Sequence, residues 1–277
     1  MNRQVADKRW WTCAFCSAVE FLLYDAFMVK YVKRIYFFRY SDYTENMIKT
    51  ILLDLDDTIF DFKECERQAL SATLVSFNLD FQKEDLSDYS EINEKMWKLL
   101  EKGEINREEL KIKRFELFLS RYPSPPSAER FAEGYMTSLS NTSSLIDGAK
   151  EVLTFLSGKY DLYAVTNGYE RTQYGRIRAS GIGMYFKDIF ISEKVGAAKP
   201  KKAFFDYCVA HIPGFSFSES VLIGDSPTSD IAGGKAYGLF TIRYNPTGAP
   251  NPEDAIPDRE YSSLSELPAL LRTLDEK

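Results

Sequence analysis

At 277 residues the chain can bury a full core as one large domain or two smaller ones, and 44% hydrophobic with 27% charged residues is ordinary globular usage, which excludes extended disorder. A formal charge of −6 without a long Lys/Arg block excludes the electrostatic footprint of a protein that binds nucleic-acid polymers, and a small anionic substrate would need local cationic help. The single histidine, His211, falls at the expected end of a helix, so general acid–base work passes to carboxylates instead of a Ser-His-Asp or Cys-His arrangement.

Residues 1–46 read differently from the rest, with aromatic crowding at Trp10-Trp11 and Tyr36-Phe37-Phe38. The apolar stretch Cys13 to Val29 carries Glu20 and Asp25, which makes a membrane span costly, and it lacks a small-residue cleavage pattern. Three readings stand: an extension of doubtful status ahead of a start at Met47, an amphipathic accessory helix, or a membrane anchor. On the first, a chain beginning at Met47 stays soluble and active; no membrane association is expected. The four cysteines, at 13, 16, 65 and 208, are too scattered for a disulfide framework and fit a reducing cytoplasm. Cys13 and Cys16 have redox or half-zinc spacing, but no second pair follows them.

From Met47 the pattern becomes regular. Ile51-Leu52-Leu53-Asp54-Leu55 is an apolar run of strand length that ends in acids, Asp54-Leu55-Asp56-Asp57-Thr58. Alternation along a strand points residues 54 and 56 the same way. Asp54 could then attack phosphorus, while Asp56 protonates a leaving oxygen and later deprotonates water. Two such charges beside an anionic ester need a hard cation between them, and magnesium, which takes oxygen ligands, answers that need. Alone, the pentapeptide is equally compatible with acids that begin a solvated turn.

Residues 61–142 read as several helices and no strand, a helical cap inserted into the core. Asn106 and Glu109 form a helix-start signature, Tyr122 to Pro126 breaks that helix, and Ser127 can cap the next. The core, residues 47–60 and 143–277, continues with strand-length runs at 162–166, 189–192, 221–224 and 240–242, separated by helical stretches. This alternation predicts a parallel α/β sheet with its ligand site beyond the carboxyl ends of the strands. At those ends stand Thr166, whose hydroxyl with the backbone of Asn167 and Gly168 can hold phosphate oxygens, and Lys199, which precedes Pro200 at an expected helix start. Lysine is disfavoured at a positive helix terminus, which favours Lys199 facing an anionic centre over a surface role. In Gly224-Asp225-Ser226-Pro227-Thr228-Ser229-Asp230, a strand ends in Asp225 and a proline-started helix returns Asp230. Asp225 could ligate the ion directly, and Asp230 could act through water or orient Lys199; either alone could be a helix cap. Residues 245–257 read as a loop before a short final helix.

Together these residues resemble the haloacid dehalogenase-like hydrolases, whose motifs are Asp-x-Asp-x-Thr, a strand-ending Thr or Ser, a Lys, and Gly-Asp followed by a second Asp. The resemblance runs from about Ile48 to the C-terminus. It implies a Rossmann-like core with a helical cap and a phosphoaspartate on Asp54, with Asp56 as acid–base and Thr166 and Lys199 on phosphate. It places Thr58, Asn167 and Gly168 at the substrate and Mg2+ among Asp54, Asp56, Asp225 and Asp230.

A narrower similarity lies in Asn93 to Trp97, Gly103 to Asn106, Arg114-Phe115, Thr166 to Gln173, Ser180-Gly181 and Ser192 to Gly196. These are similar to the pyrimidine 5'-nucleotidase branch that clears noncanonical nucleoside monophosphates, which implies that Trp97 and Arg114 contact base or sugar; the other reading of Trp97 is cap core. The alternatives are a phosphoglycolate or sugar-phosphate phosphatase, a phosphomutase and, from another class, a non-catalytic binding module. Oligomeric state has no signature in the sequence.

Overall fold

The computed structural model describes residues 47–275, so the readings made for residues 1–46 lie outside the described residues. Six parallel strands form one sheet in the order β3-β2-β1-β4-β5-β6. They are β1 (Thr50–Leu53), β2 (Asp161–Thr166), β3 (Asp188–Ile191), β4 (Ser220–Gly224), β5 (Phe240–Tyr244) and β6 (Arg259–Tyr261). β1 is central, with Leu53 opposite Ala164 of β2 and Ile223 of β4. Because the chain works outward through β2 and β3 and then crosses to β4, the order reverses beside β1, and a crevice opens there beyond the carboxyl ends.

Alternation along the strands feeds two separate cores. Ile51, Leu53, Leu162, Ala164, Val221 and Ile223 pack on one face. They meet α5 (Ala149–Ser157) through Leu153 and Leu156, and α10 (Leu267–Asp275) through Leu267 and Leu271. Leu52, Tyr163, Val165 and Leu222 face the other way, against Phe204, Phe205 and Cys208 of α8 (Lys202–Ala210). Between β1 and β2 the chain builds α1 (Phe62–Ser76), α2 (Lys83–Lys102), α3 (Arg107–Leu119) and α4 (Ala128–Ser140). These four helices have a core of their own, centred on Leu70, Tyr89, Phe115, Phe118, Phe131 and Tyr135.

Local grammar explains where these helices start and stop. The Asn106 side chain accepts from Glu109 N–H at 2.9 Å and Glu109 accepts from Asn106 N–H at 3.0 Å, a complete capping box for α3. Ser127 caps α4, and Gly103 ends α2 with φ 75°, a conformation that suits glycine. α6 (Glu170–Ser180) follows β2 and packs against α4 so closely that a Cβ on Gly175 would stand 2.5 Å from the carbonyl oxygen of Ser140. α7 (Ser192–Val195) and α9 (Gly233–Tyr237) are short. His211 is the C-cap of α8 and its Nδ1 lies 2.7 Å from the carbonyl oxygen of Tyr207, a helix-end role as expected.

The structure adds one strand and corrects one local expectation. β6 falls between the expected loop, residues 245–257, and the final helix, and only Tyr261 of its three residues is buried, too little for a periodic signal. Pro200 does not open a helix: α8 starts at Lys202 with Lys201 as its N-cap. The Asn167 amide instead clasps both backbone groups of Lys199, donating to its carbonyl and accepting from its N–H, each at 2.9 Å, in a turn closed by Lys201 N–H on the carbonyl of Ala198 at 2.8 Å.

Candidate active site

Asp54 follows β1 directly. Its N–H still donates to Ile223 at 2.9 Å, so the ladder with β4 delivers its carboxylate to the strand end. The chain then turns sharply: Ile59 and Phe60 N–H both reach the carbonyl of Leu55 at 2.8 Å, and Asp57 takes the left-handed conformation, φ 56°. Burial, with the charge of Asp56 second, pushes the Asp57 carboxyl up to about 6.

Lys199 is the electrostatic centre, with a side chain only 1% exposed. Its ammonium donates to Asp54 Oδ1 at 2.5 Å, Asp230 Oδ1 at 2.6 Å and the carbonyl of Val165 at 2.8 Å, which uses all three hydrogens. Burial works against its charge, but Asp230 and Asp54 outweigh it and hold its pKa above the usual lysine value. Burial also pushes Asp54 up to about 8, with Lys199 pulling down and Asp230 adding to the rise. Asp225 is raised well above the ordinary range by burial and by Asp54.

The turn Pro227–Ala232 returns Asp230 to this cluster through wide i→i+5 geometry, with Ile231 N–H on the carbonyl of Ser226 at 3.1 Å. Ser226 N–H donates to Asp230 Oδ2 at 3.1 Å. A Cβ on Gly224 would collide with the Asp230 carboxylate, so the strand must end in glycine. Arg243, on β5, donates through Nε to the carbonyl of Asp225 at 3.2 Å and pins its backbone.

Asp54, Asp225 and Asp230 offer carboxylate oxygens that all lie within 4.8 Å of one another. Lys199 pairs with Asp54 and Asp230 but not with Asp225, and the donors are hard oxygens, so the charge deficit and the ligand chemistry both suit a divalent ion such as Mg2+. Asp56, expected with them, is not in this group. It borders the same cavity as Asp54, although β1 itself ends at Leu53. Its Oδ2 instead accepts from Gln173 Nε2 at 2.7 Å and its Oδ1 pairs with Arg176 Nη1.

Thr166 is buried and its oxygen accepts from Gly168 N–H at 3.2 Å and Gln173 Nε2 at 2.8 Å. With both lone pairs occupied, the hydroxyl hydrogen is left to donate. Thr58, expected at the substrate, is fully buried, with its hydroxyl 3.4 Å from both Asp54 Oδ2 and Asp225 Oδ1, and does not border the cavity.

That cavity, of about 210 Å³, is bordered by Asp54, Asp56, Thr166, Asn167, Gly168, Lys199, Asp225 and Asp230 at one end. The helical layer supplies Phe62, Trp97, Arg114, Met136 and Leu139. Trp97 stands edge-on to Tyr169 with ring centroids 6.1 Å apart. Arg114 is buried against the Phe115 ring at 4.8 Å, donates to Asn93 Oδ1 at 2.9 Å, and leaves Nε without a partner. Sequence reasoning did not single out Arg176, Arg243 or Gln173 for a role. The available signal was the spacing of 173 and 176, one turn apart on a helix that starts beside Thr166.

Comparison with known proteins agrees with this geometry. A family model for haloacid dehalogenase-like hydrolases matches residues 48–238. The HAD-hydrolase YfnB of Bacillus subtilis (strain 168) is 39% identical over 219 residues, 79% of this chain and 93% of that protein. Its orthorhombic crystal structure, bound to magnesium, superposes with a TM-score of 0.78 at 38% identity, covering 82% of this chain and 99% of that one. Pyrimidine 5'-nucleotidase PynA of Streptococcus pneumoniae (strain ATCC BAA-255 / R6) is 35% identical, covering 79% of this chain and 93% of that protein. Pyrimidine 5'-nucleotidase YjjG of Escherichia coli (strain K12) is 31% identical, covering 80% and 96%. With the motif residues gathered at the strand ends of a Rossmann-like sheet, the chain belongs to the haloacid dehalogenase-like hydrolases.

Proposed function

We propose that the chain is a magnesium-dependent phosphatase working through an aspartyl-phosphate on Asp54, and that its substrates are pyrimidine nucleoside 5'-monophosphates. The observation that carries the reading is a single cavity with Asp54, Thr166 and Lys199 at one end and Trp97, Tyr169 and Arg114 at the other. A phosphate fits the polar end and a ring the other. The two pyrimidine 5'-nucleotidases matched over nearly their whole length support the same substrate class.

Asp54, Asp225 and Asp230 would hold the ion, which when bound supplies positive charge to the phosphate and its neighbouring carboxylates. Asp54 keeps Oδ1 on Lys199 and turns Oδ2 to phosphorus, while Thr166 donates its free hydrogen to a phosphate oxygen. The ester P–O bond breaks as the Asp54–P bond forms, and Asp56 passes a proton to the leaving alcohol. Asp56 then takes a proton from water as that oxygen bonds to phosphorus and the Asp54–P bond breaks. The four-helix layer acts as the cap that shields the intermediate and reads the leaving group.

Turnover of a panel of phosphate monoesters, with and without Mg2+, tests this directly. Nucleoside 5'-monophosphates are expected to lead. A preference for phosphoglycolate or a sugar phosphate would reject the substrate class, and equal turnover without Mg2+ would reject the metal.

A further inference from the structure

Asp56 sits past the end of β1, in a backbone bridge with Phe60, and its side chain is 29% exposed. Both oxygens are nonetheless fixed from α6. Gln173 Nε2 donates to Oδ2 at 2.7 Å and Arg176 Nη1 to Oδ1. Residues three apart on a helix share a face, so one turn of α6 supplies both donors.

The clamps are themselves held. The second hydrogen of Gln173 Nε2 goes to Thr166 Oγ1 at 2.8 Å, and its Oε1 accepts from Arg176 Nη1 at 3.3 Å, which fixes the orientation of the amide. Gly168 has no Cβ because Gln173 occupies that space, and Gly175 presses the helix against α4. Arg176 is 1% exposed, with its guanidinium 4.1 Å from the Phe60 ring centroid and 5.5 Å from that of Phe62. Among the described residues its one salt bridge is to Asp56. Burying a cation is costly, and an apolar residue of similar volume would pack as well or better, so packing alone does not account for arginine here.

We propose that Arg176 and Gln173 are positioning residues that hold Asp56 at the leaving oxygen and couple it, through Gln173, to the Thr166 hydroxyl that grips phosphate. The inference rests on the phosphatase reading with Asp56 as acid and base. The clamped carboxylate stays within reach while its proton moves to the departing alcohol in the first step, and while it accepts one from water in the second.

The test uses two esters: the alkyl phosphate turned over best in the ester panel, whose oxygen must be protonated to leave, and p-nitrophenyl phosphate, whose phenolate leaves unaided. kcat/KM, which reports the steps through formation of the aspartyl-phosphate, is measured for Arg176→Ala, Gln173→Ala, Asp56→Asn and the two double variants. Arg176→Ala is expected to lower the alkyl value on the order of 10²-fold and the p-nitrophenyl value by less than about tenfold. In an Asp56→Asn background it should add less than about threefold, because the two residues act as one unit. An equal loss on both esters, or a loss that multiplies fully with that of Asp56→Asn, overturns the inference. Gln173→Ala leaves the ion pair in place and carries the same comparison if Arg176→Ala fails to fold. If Asp56→Asn leaves alkyl turnover unchanged, the acid–base reading fails and this inference with it; if Asp56→Asn is crippled but the clamp variants are not selective, only this inference fails.

Discussion

Asp54 and Asp230 both lean on the ammonium of Lys199, so truncating that residue leaves buried carboxylates without their cation. Lys199→Ala is expected to cost about 3–5 kcal/mol in urea unfolding, with part of the loss recovered on adding Mg2+. Asp54→Asn keeps the shape but removes the carboxylate proposed to attack phosphorus, and its turnover in purified protein should fall on the order of 10⁴-fold or more; unchanged turnover would remove Asp54 as nucleophile. Asp54 was legible because it closes an apolar run, Lys199 because it precedes a proline, and Asp230 because it follows Pro227 by less than a turn after the Gly224-Asp225 strand end. Arg176 was not, because nothing in Glu170–Ser180 marks which of its charged residues is buried. Asp56 borders the same cavity as Asp54, but its hold by Gln173 and Arg176 was not legible, because those contacts form only once α6 is packed beside the end of β1.

Among the elements, the α3 capping box was readable from two residues, since its chemistry is local. Asn106→Ala should therefore cost about 1 kcal/mol in denaturant unfolding. β6 was not readable, because an edge strand that buries one residue is defined by its neighbour β5 and not by its own pattern. The helices of the four-helix layer are joined by a polar chain that only the fold shows. Glu66 of α1 accepts from Ser90 and, at 2.9 Å, from Asn93 of α2, and Asn93 accepts from Arg114 of α3. Burial raises the Glu66 carboxyl above its usual value, against the pull of Ser90 and Asn93. Between the unfolded and folded pKa values the folded chain keeps a proton that the unfolded chain releases, so this site favours folding at low pH and loses that benefit as pH rises. Glu66→Gln has no such proton to lose. The unfolding free energy of the variant should gain on that of the parent from pH 5 to pH 8, and a constant difference would count against a raised Glu66.

For the molecule as a whole, the strand order brings the ends of β1, β2 and β4 together, and the metal-ligand candidates come from stretches up to 176 residues apart, from Asp54 to Asp230. A ligand that binds only the assembled site stabilises all of it: at one hundred times its Kd, Mg2+ should raise the unfolding free energy by about 2.7 kcal/mol, and Asp225→Asn should abolish most of that rise. No helix among the described residues is long and apolar enough to cross a membrane. The parallel sheet was legible because five apolar runs are separated by helices, whereas the meeting of Arg176 with Asp56 depends on how α6 packs. The three acceptors around the Lys199 nitrogen belong to β2, the end of β1 and the turn after β4, so one side chain stitches the carboxyl edge of the sheet together. The edge cannot splay without undoing the stitch, and inactivation by denaturant should therefore share its midpoint with the loss of sheet ellipticity, leaving no dead but intact form at intermediate concentrations.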